Sequence, residues 1–144
     1  RFIELAGEIN HYMPQWVVGK VMDALNDRGK ALKGSHILVL GLAYKKNIDD
    51  TRESPAVEIM DLLQDKGAEV AYSDPHVPKF PRKRNYHFDL QSVALTPESI
   101  ASYDCLVLAT DHDGFDYQQL VQHARLVVDT RGRLGVGRAN VVAA

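Results

Sequence analysis

The chain has 144 residues, of which 45% are hydrophobic and 25% are charged, and its formal net charge at pH 7 is -2. This length and composition are typical of one globular domain with its own core, and the slight acidic balance argues against nucleic-acid binding. A single cysteine excludes an internal disulfide and a cysteine-based zinc site, and no apolar run is long enough to span a bilayer. We therefore expect a cytoplasmic protein that does not bind membranes.

Residues 1–29 are predicted to be helical, in two pieces, because Pro14 fits the first turn of a second helix. Gly29 is the predicted stop. Apolar residues at helical spacing form a stripe that either packs on its own domain or makes an interdomain or dimer contact: Val17, Val18, Val21, Met22 and Leu25. The chain opens on Arg1 inside a helical pattern without a capping residue, so we expect it to be part of a longer polypeptide.

From residue 34 the pattern alternates between apolar strands and amphipathic helices. Strong strands are predicted in HILVLGLA, AEVAYSDP, DCLVLATD and RLVVDTRG, and weaker ones in SVALT and NVVAA. Ser54 and Thr96, each followed by proline, are predicted to cap helices, Gly67 to end one, and DYQQLVQHA to form another. This order predicts a Rossmann-like α/β domain, a parallel sheet with helices on both faces, preceded by a long helix.

Three charged segments follow predicted strands: GLAYKKNIDDTRES, LATDHDGF and VVDTRGRL. They should meet at the carboxyl edge of the sheet, where open α/β folds bind ligands. Arginine and lysine there would suit a diphosphate, and a helix beginning near Pro55 would add its positive dipole end. The alternative is that these cations are solvated and pair with neighbouring acids; the cations are Lys45, Lys46 and Arg52, and the acids are Asp49, Asp50 and Glu53.

The segment GLAYKKNIDDTRESPA, residues 41–56, resembles the signature of the nucleotide-sugar-binding domain of the UDP-glucose/GDP-mannose dehydrogenase family. The resemblance extends to FIELAGEIN, YSDPHVP, LATDHDGF and VVDTRG, and thus covers essentially the whole chain. It implies that residues 1–30 end a central dimer-forming helical region and that residues 31–144 bind a UDP-sugar.

Within the family, these segments are most similar to bacterial enzymes of polysaccharide and O-antigen pathways that oxidise UDP-N-acetylglucosamine at C6 with NAD. UDP-N-acetylmannosamine and UDP-glucose stay open as substrates. A non-catalytic nucleotide-binding module and an interaction domain stay open as functions.

The resemblance also implies roles for individual residues. Tyr44, Lys45 and Arg131 would contact the UDP-sugar, and Arg52 would reach NAD, which is held mainly by another domain. It implies no catalytic and no metal-binding residue in this chain. The family's nucleophilic cysteine lies in a GGSCFPKD-like segment that this sequence lacks, and Cys105 lies in a predicted buried strand. We therefore expect the chain to be inactive alone, within a whole protein that is an NAD-dependent, dimeric UDP-sugar 6-dehydrogenase.

Other polar residues receive structural interpretations. The histidines have no metal-ligand spacing, so surface or capping roles are predicted for each of them. Asp111, His112 and Asp113 follow a strand, and helix capping is favoured over ligand contact. Asp74 with Pro75 is predicted to form a turn, and the basic loop 79–84 to be a solvated surface.

Overall fold

The computed structural model describes residues 2–52, 54–83, 86 and 88–144, with side chains from residue 13 onward. Its elements in chain order are α1 Phe2–Asn26, β1 His36–Leu40, α2 Pro55–Asp65, β2 Glu69–Ser73, α3 Pro97–Ser102, β3 Cys105–Leu108, α4 Tyr117–His123, β4 Val127–Asp129 and β5 Val141–Ala143. The strands form one sheet in the order β2-β1-β3-β4-β5, and every neighbouring pair is parallel. The predicted Rossmann-like α/β fold is thus confirmed. Predicted surface positions at Glu53, Arg84 and His87 lie outside the described residues.

Alternate residues of the central strands face two separate hydrophobic cores, as the two-residue period of a strand requires. On one face, Ile37 and Val39 of β1 and Val107 of β3 pack with residues of α1 and α2. On the other face, Leu38 and Leu40 pack with residues of α3 and α4. Because both faces are covered, these strands appear in the sequence as uninterrupted apolar runs.

The helix α1 continues through Pro14, so the predicted division into two pieces is wrong. A proline removes one helical hydrogen bond, and here packing of the following turns on the core holds the helix together. The packed residues are four members of the predicted stripe, Val17, Val18, Val21 and Leu25, while Met22 is 41% exposed. As predicted, the helix ends before Gly29, which has a φ of 72°; the Lys30 N–H donates to the Leu25 carbonyl at 3.0 Å. No helix in the described part of the chain combines the length and apolar character that a membrane span requires.

The shorter helices begin at capping side chains. The Ser54 hydroxyl accepts the N–H of Ala56 at 3.2 Å, and Thr96 forms a reciprocal capping box with Ser99; both caps are as predicted. The helix α4 is capped by Asp116, so the capping role expected of residues 111–113 is wrong. Asp116 lies immediately before the first helical residue, which is the position that places a carboxylate beside the unpaired N–H groups of the first turn.

The segment SVALT, residues 92–96, is not a strand, contrary to prediction. The Val93 N–H donates to the Tyr72 carbonyl at 2.8 Å, but the Ser92 N–H turns to the carbonyl of Pro78. These bonds go to different segments, so no regular ladder forms. The predicted last strand in NVVAA is confirmed as β5, which pairs with β4.

Candidate functional site

A cleft of about 740 Å³ lies where the carboxyl ends of β1, β3 and β4 meet the first turn of α2. Tyr44 and Lys45 enter it from the loop after β1, and Arg131 enters it from the loop after β4. Residues 13, 14 and 17 of α1 form an apolar wall. The structure therefore brings together three of the four residues predicted to bind ligands.

The loop after β4 is organised by the buried carboxylate of Asp129. One oxygen accepts the N–H groups of Arg131 and Gly132 at 2.9 and 3.0 Å, and the other accepts the N–H of Leu134 at 2.8 Å. The Arg131 Nε donates to the carbonyl of Ala109 at 2.9 Å. This bond uses one of the five N–H donors of the guanidinium, and the others can serve an anionic ligand in the cleft.

The loop after β1 packs closely against the loop after β3. Gly41 has a φ of 87°, and a Cβ at this position would lie 2.6 Å from both the Cβ and the carbonyl oxygen of Thr110. The Thr110 hydroxyl donates to the carbonyl of Ala43 at 2.6 Å, and the Tyr44 N–H closes the loop on the carbonyl of Asp50 at 2.8 Å. The single glycine of the motif is thus required for contact between two protein segments, whereas the glycines of a dinucleotide-binding turn admit a phosphate.

A buried pair, Asp74 and His112, also holds the loop after β1 in place. His112 is 0% exposed, and its Nε2 lies 2.9 Å from an Asp74 oxygen that also accepts the Leu42 N–H at 2.7 Å. The His112 Nδ1 accepts the N–H of Asn47 at 2.7 Å, so Nε2 carries the proton of a neutral imidazole. Asn47 has a φ of 65°, and its side chain exchanges two hydrogen bonds with Asp113.

This pair bears on two sequence interpretations, of which one is wrong and one is confirmed. The surface or capping role predicted for His112 is wrong, because the bonds to Asp74 and Asn47 satisfy the ring inside the protein. The turn predicted at Asp74 is confirmed by its bond to the His76 N–H at 2.7 Å, but the carboxylate also joins three segments. Burial raises the pKa of Asp74, and the hydrogen bonds from His112, Leu42 and His76 outweigh it, so that the pKa is lowered.

Arg52 does not share this cleft: it is not among the described residues that line it. Its Nε and Nη2 donate to the two carboxylate oxygens of Asp50 at 3.0 and 2.9 Å. These bonds lower the pKa of Asp50 to about 2. The surface pairing weighed for Arg52 is therefore present, and its contact with NAD stays a prediction.

Sequence reasoning missed Lys83. In the predicted solvated loop, Lys79 and Arg82 are exposed, but Lys83 is half-buried and lines the cleft. Its ammonium donates to the carbonyl of Thr51 at 2.8 Å, and burial lowers its pKa, partly offset by the charge of Asp50. The loop has no periodic pattern, so no sequence signal could distinguish Lys83 from its exposed neighbours.

The remaining candidate residues have structural roles. Asp111 and Asp113 form ion pairs with Arg133 at 3.5 and 3.2 Å. Cys105 is buried in β3, as predicted, and burial raises the pKa of its thiol to about 12. A thiol with that pKa is not a nucleophile at neutral pH. Within the described residues, no group of three or more potential ligands is placed to hold a metal ion.

Comparison with known proteins identifies the family. The model of the UDP binding domain of the UDP-glucose/GDP-mannose dehydrogenase family matches residues 38–135. The chain belongs to this family. The match includes the loops after β1 and β4 and hence Tyr44, Lys45 and Arg131.

Individual relatives are UDP-N-acetyl-D-mannosamine dehydrogenases. The enzyme of Methanococcus maripaludis (strain C7) is 36% identical over 115 residues, which are 80% of this chain and 24% of the relative. That of Escherichia coli (strain K12) is 36% identical over 141 residues, covering 92% of this chain and 32% of the relative. The chain therefore spans about a quarter to a third of the length of these curated relatives.

The fold is also that of a solved family structure. The UDP-D-ManNAc dehydrogenase from Pyrococcus horikoshii superposes with a TM-score of 0.76 at 24% identity, over 98% of this chain and 32% of that one. This likeness supports the sheet order and helix placement described above.

Proposed function

We propose that this chain holds the UDP moiety of a nucleotide sugar, within a protein that oxidises C6 of the sugar in two NAD-dependent hydride transfers. The observation that carries the proposal is the convergence of Lys45 and Arg131, from two separate loops, on one cleft. Lys83 joins them, and Glu58 is the one carboxylate among the described lining residues. Such a surplus of positive charge suits a diphosphate.

Each residue has a distinct role in this proposal. The planar fork of Arg131 can bind two phosphate oxygens at once, whereas Lys45 supplies a compact charge. The Tyr44 ring is 48% exposed beside them and offers an aromatic face, with the Lys45 Nζ 5.9 Å from its centroid. The first turn of α2, at Ser54 and Pro55, lines the same cleft and adds the positive end of the helix dipole.

We propose that the oxidation requires residues beyond this chain. The sequence contains one cysteine, Cys105, and its burial and raised pKa keep it from forming a covalent intermediate. We further propose that Arg52 contacts NAD held by another part of the protein, because its side chain is 86% exposed on the motif loop. The division at residue 30, the dimer and the cytoplasmic location also stay predictions.

For the sugar, we propose an N-acetylated hexosamine. The names of the two relatives described above favour UDP-N-acetyl-D-mannosamine. UDP-N-acetylglucosamine, the sugar expected from the motif segments, is the second candidate. The rate of NADH formation by the whole protein with each substrate decides between them.

Calorimetric titration of the chain with UDP tests the binding site. Lys45→Ala and Arg131→Ala should each weaken UDP binding by about 10-fold to 100-fold, as expected for a lost hydrogen bond to a charged group. Lys46→Ala is the matched control, because Lys46 is the exposed neighbour of Lys45 and is not among the described lining residues. Failure of the folded wild-type chain to bind UDP, or equal affinities for all four proteins, would refute the proposal.

A further inference from the structure

Lys83 is a half-buried cation without a carboxylate partner among the described residues. Among the described residues, its side chain makes one hydrogen bond, to the neutral carbonyl of Thr51. Among the described residues, Asp50 is the acid whose charge raises the pKa of Lys83, and that carboxylate already accepts hydrogen bonds from Nε and Nη2 of Arg52. The ammonium thus carries a desolvation cost that the described groups around it offset only in part.

The position of Lys83 shows what would offset this cost. Lys83 reaches the cleft from the 76–90 loop, on a different segment from Lys45 and Arg131. An ammonium has three donors, and the Thr51 carbonyl takes one of them. The other two donors have no acceptor among the described residues and can serve a ligand in the cleft. An anion there would compensate the three cations together.

We propose that Lys83 is a third cationic ligand of the diphosphate, which the Thr51 carbonyl holds in place from the motif loop. This inference rests on the proposed UDP-binding function and adds to it a contact from outside the family motif. Lys83 and Tyr86 then form part of the wall of the binding site. Binding would therefore join three separate segments of the chain around one anion.

The test compares Lys83→Met, which keeps most of the apolar stem and removes the charge, with Lys79→Met on the same loop. Lys79 is exposed and is not among the described residues that line the cleft. We expect Lys83→Met to weaken UDP binding by about 10-fold, Lys83→Arg to retain most of the affinity, and Lys79→Met to leave it unchanged. Because a direct charge contact is screened by salt, the affinity of Lys83→Met should also depend less steeply on salt concentration.

A second measurement uses the unmodified chain. Acetic anhydride labelling, followed by mass spectrometry, should show that UDP protects Lys83 and leaves Lys79 equally reactive. The inference is overturned if the wild type binds UDP while Lys83→Met binds within twofold of it, or if UDP leaves Lys83 unprotected; the proposed function then stands. It is also overturned if affinity falls with an unchanged salt dependence, which indicates a purely structural role. Absence of UDP binding by the wild type overturns both.

Discussion

The loops after β1 and β4 each place a cation in the cleft, and each depends on a buried aspartate, but they are built differently. Asp129 accepts three backbone N–H groups, all from the five residues that follow it. Asp74 accepts N–H groups from Leu42 and His76 and the imidazole of His112, and so ties together segments that are far apart in sequence. The β4 loop is therefore self-contained, whereas the β1 loop is held by its neighbours.

This difference shows which groups hold each of the two cations in position. The backbone N–H of Arg131 donates directly to the carboxylate of Asp129, which shapes the turn that carries Arg131. Lys45 lies between Leu42 and Asn47, which are anchored by Asp74 and by His112 respectively. Mutations distant in sequence should therefore disturb the β1 loop, while the β4 loop should respond mainly to changes within it.

The largest effect is expected from Asp74→Ala compared with Asp129→Ala. Asp74→Ala leaves two buried donors, the Leu42 N–H and the His112 Nε2, unpaired and should lower the free energy of unfolding by about 3–5 kcal/mol. Asp129→Ala should cost about 1–3 kcal/mol, because Arg131 and Gly132 are exposed and their N–H groups can turn to water. Urea unfolding of both variants measures the difference, and an equal or larger loss at Asp129 would contradict the contrast drawn between the loops.

A smaller effect is expected from Gly41→Ala compared with Gly132→Ala. Both glycines have positive φ, 87° and 70°, so both substitutions carry a backbone cost of about 1–2 kcal/mol. Only at Gly41 would the new Cβ meet Thr110, and this overpacking should bring the total to about 2–4 kcal/mol. Thermal unfolding at matched pH provides the comparison. Similar melting temperatures for the two variants would show that the β1 loop can move away from Thr110.

The smallest effect is expected at Asn47. Asn47→Ala removes the exchange of hydrogen bonds with Asp113 and puts alanine at a φ of 65°, which should cost about 1 kcal/mol. Asn47→Gly loses the same side-chain bonds without the backbone cost and serves as the control. Equal unfolding free energies of the two variants would indicate that the backbone cost is negligible here.

The sequence was sufficient to predict features that depend on local chemistry. The strands and helix caps could be predicted from sequence, and parallel strands end at one edge of a sheet. These features predicted that Lys45 and Arg131 lie together, and in the structure both line the cleft. The resemblance of the motif supplied the roles that we propose for them. Even the turn at Asp74 could be predicted, because aspartate commonly accepts the N–H two residues later.

Contacts between distant segments were not predictable. Nothing near His112 in sequence indicates that it would be buried between Asp74 and Asn47. Lys83 resembles the exposed Lys79 and Arg82 until the chain folds and brings Thr51 beside it. Pro14 was expected to begin a helix, but tertiary packing of the residues that follow outweighs one lost hydrogen bond.

The first helix has a consequence for grafting this unit into another protein. Met13, Pro14 and Val17 line the cleft, and Val17 also belongs to the core that α1 shares with α2. A transplant cut at residue 31 would remove one wall of the ligand site and expose the apolar surface of α2 to water. The smallest portable piece therefore includes the helix, even though the binding motif begins only after β1.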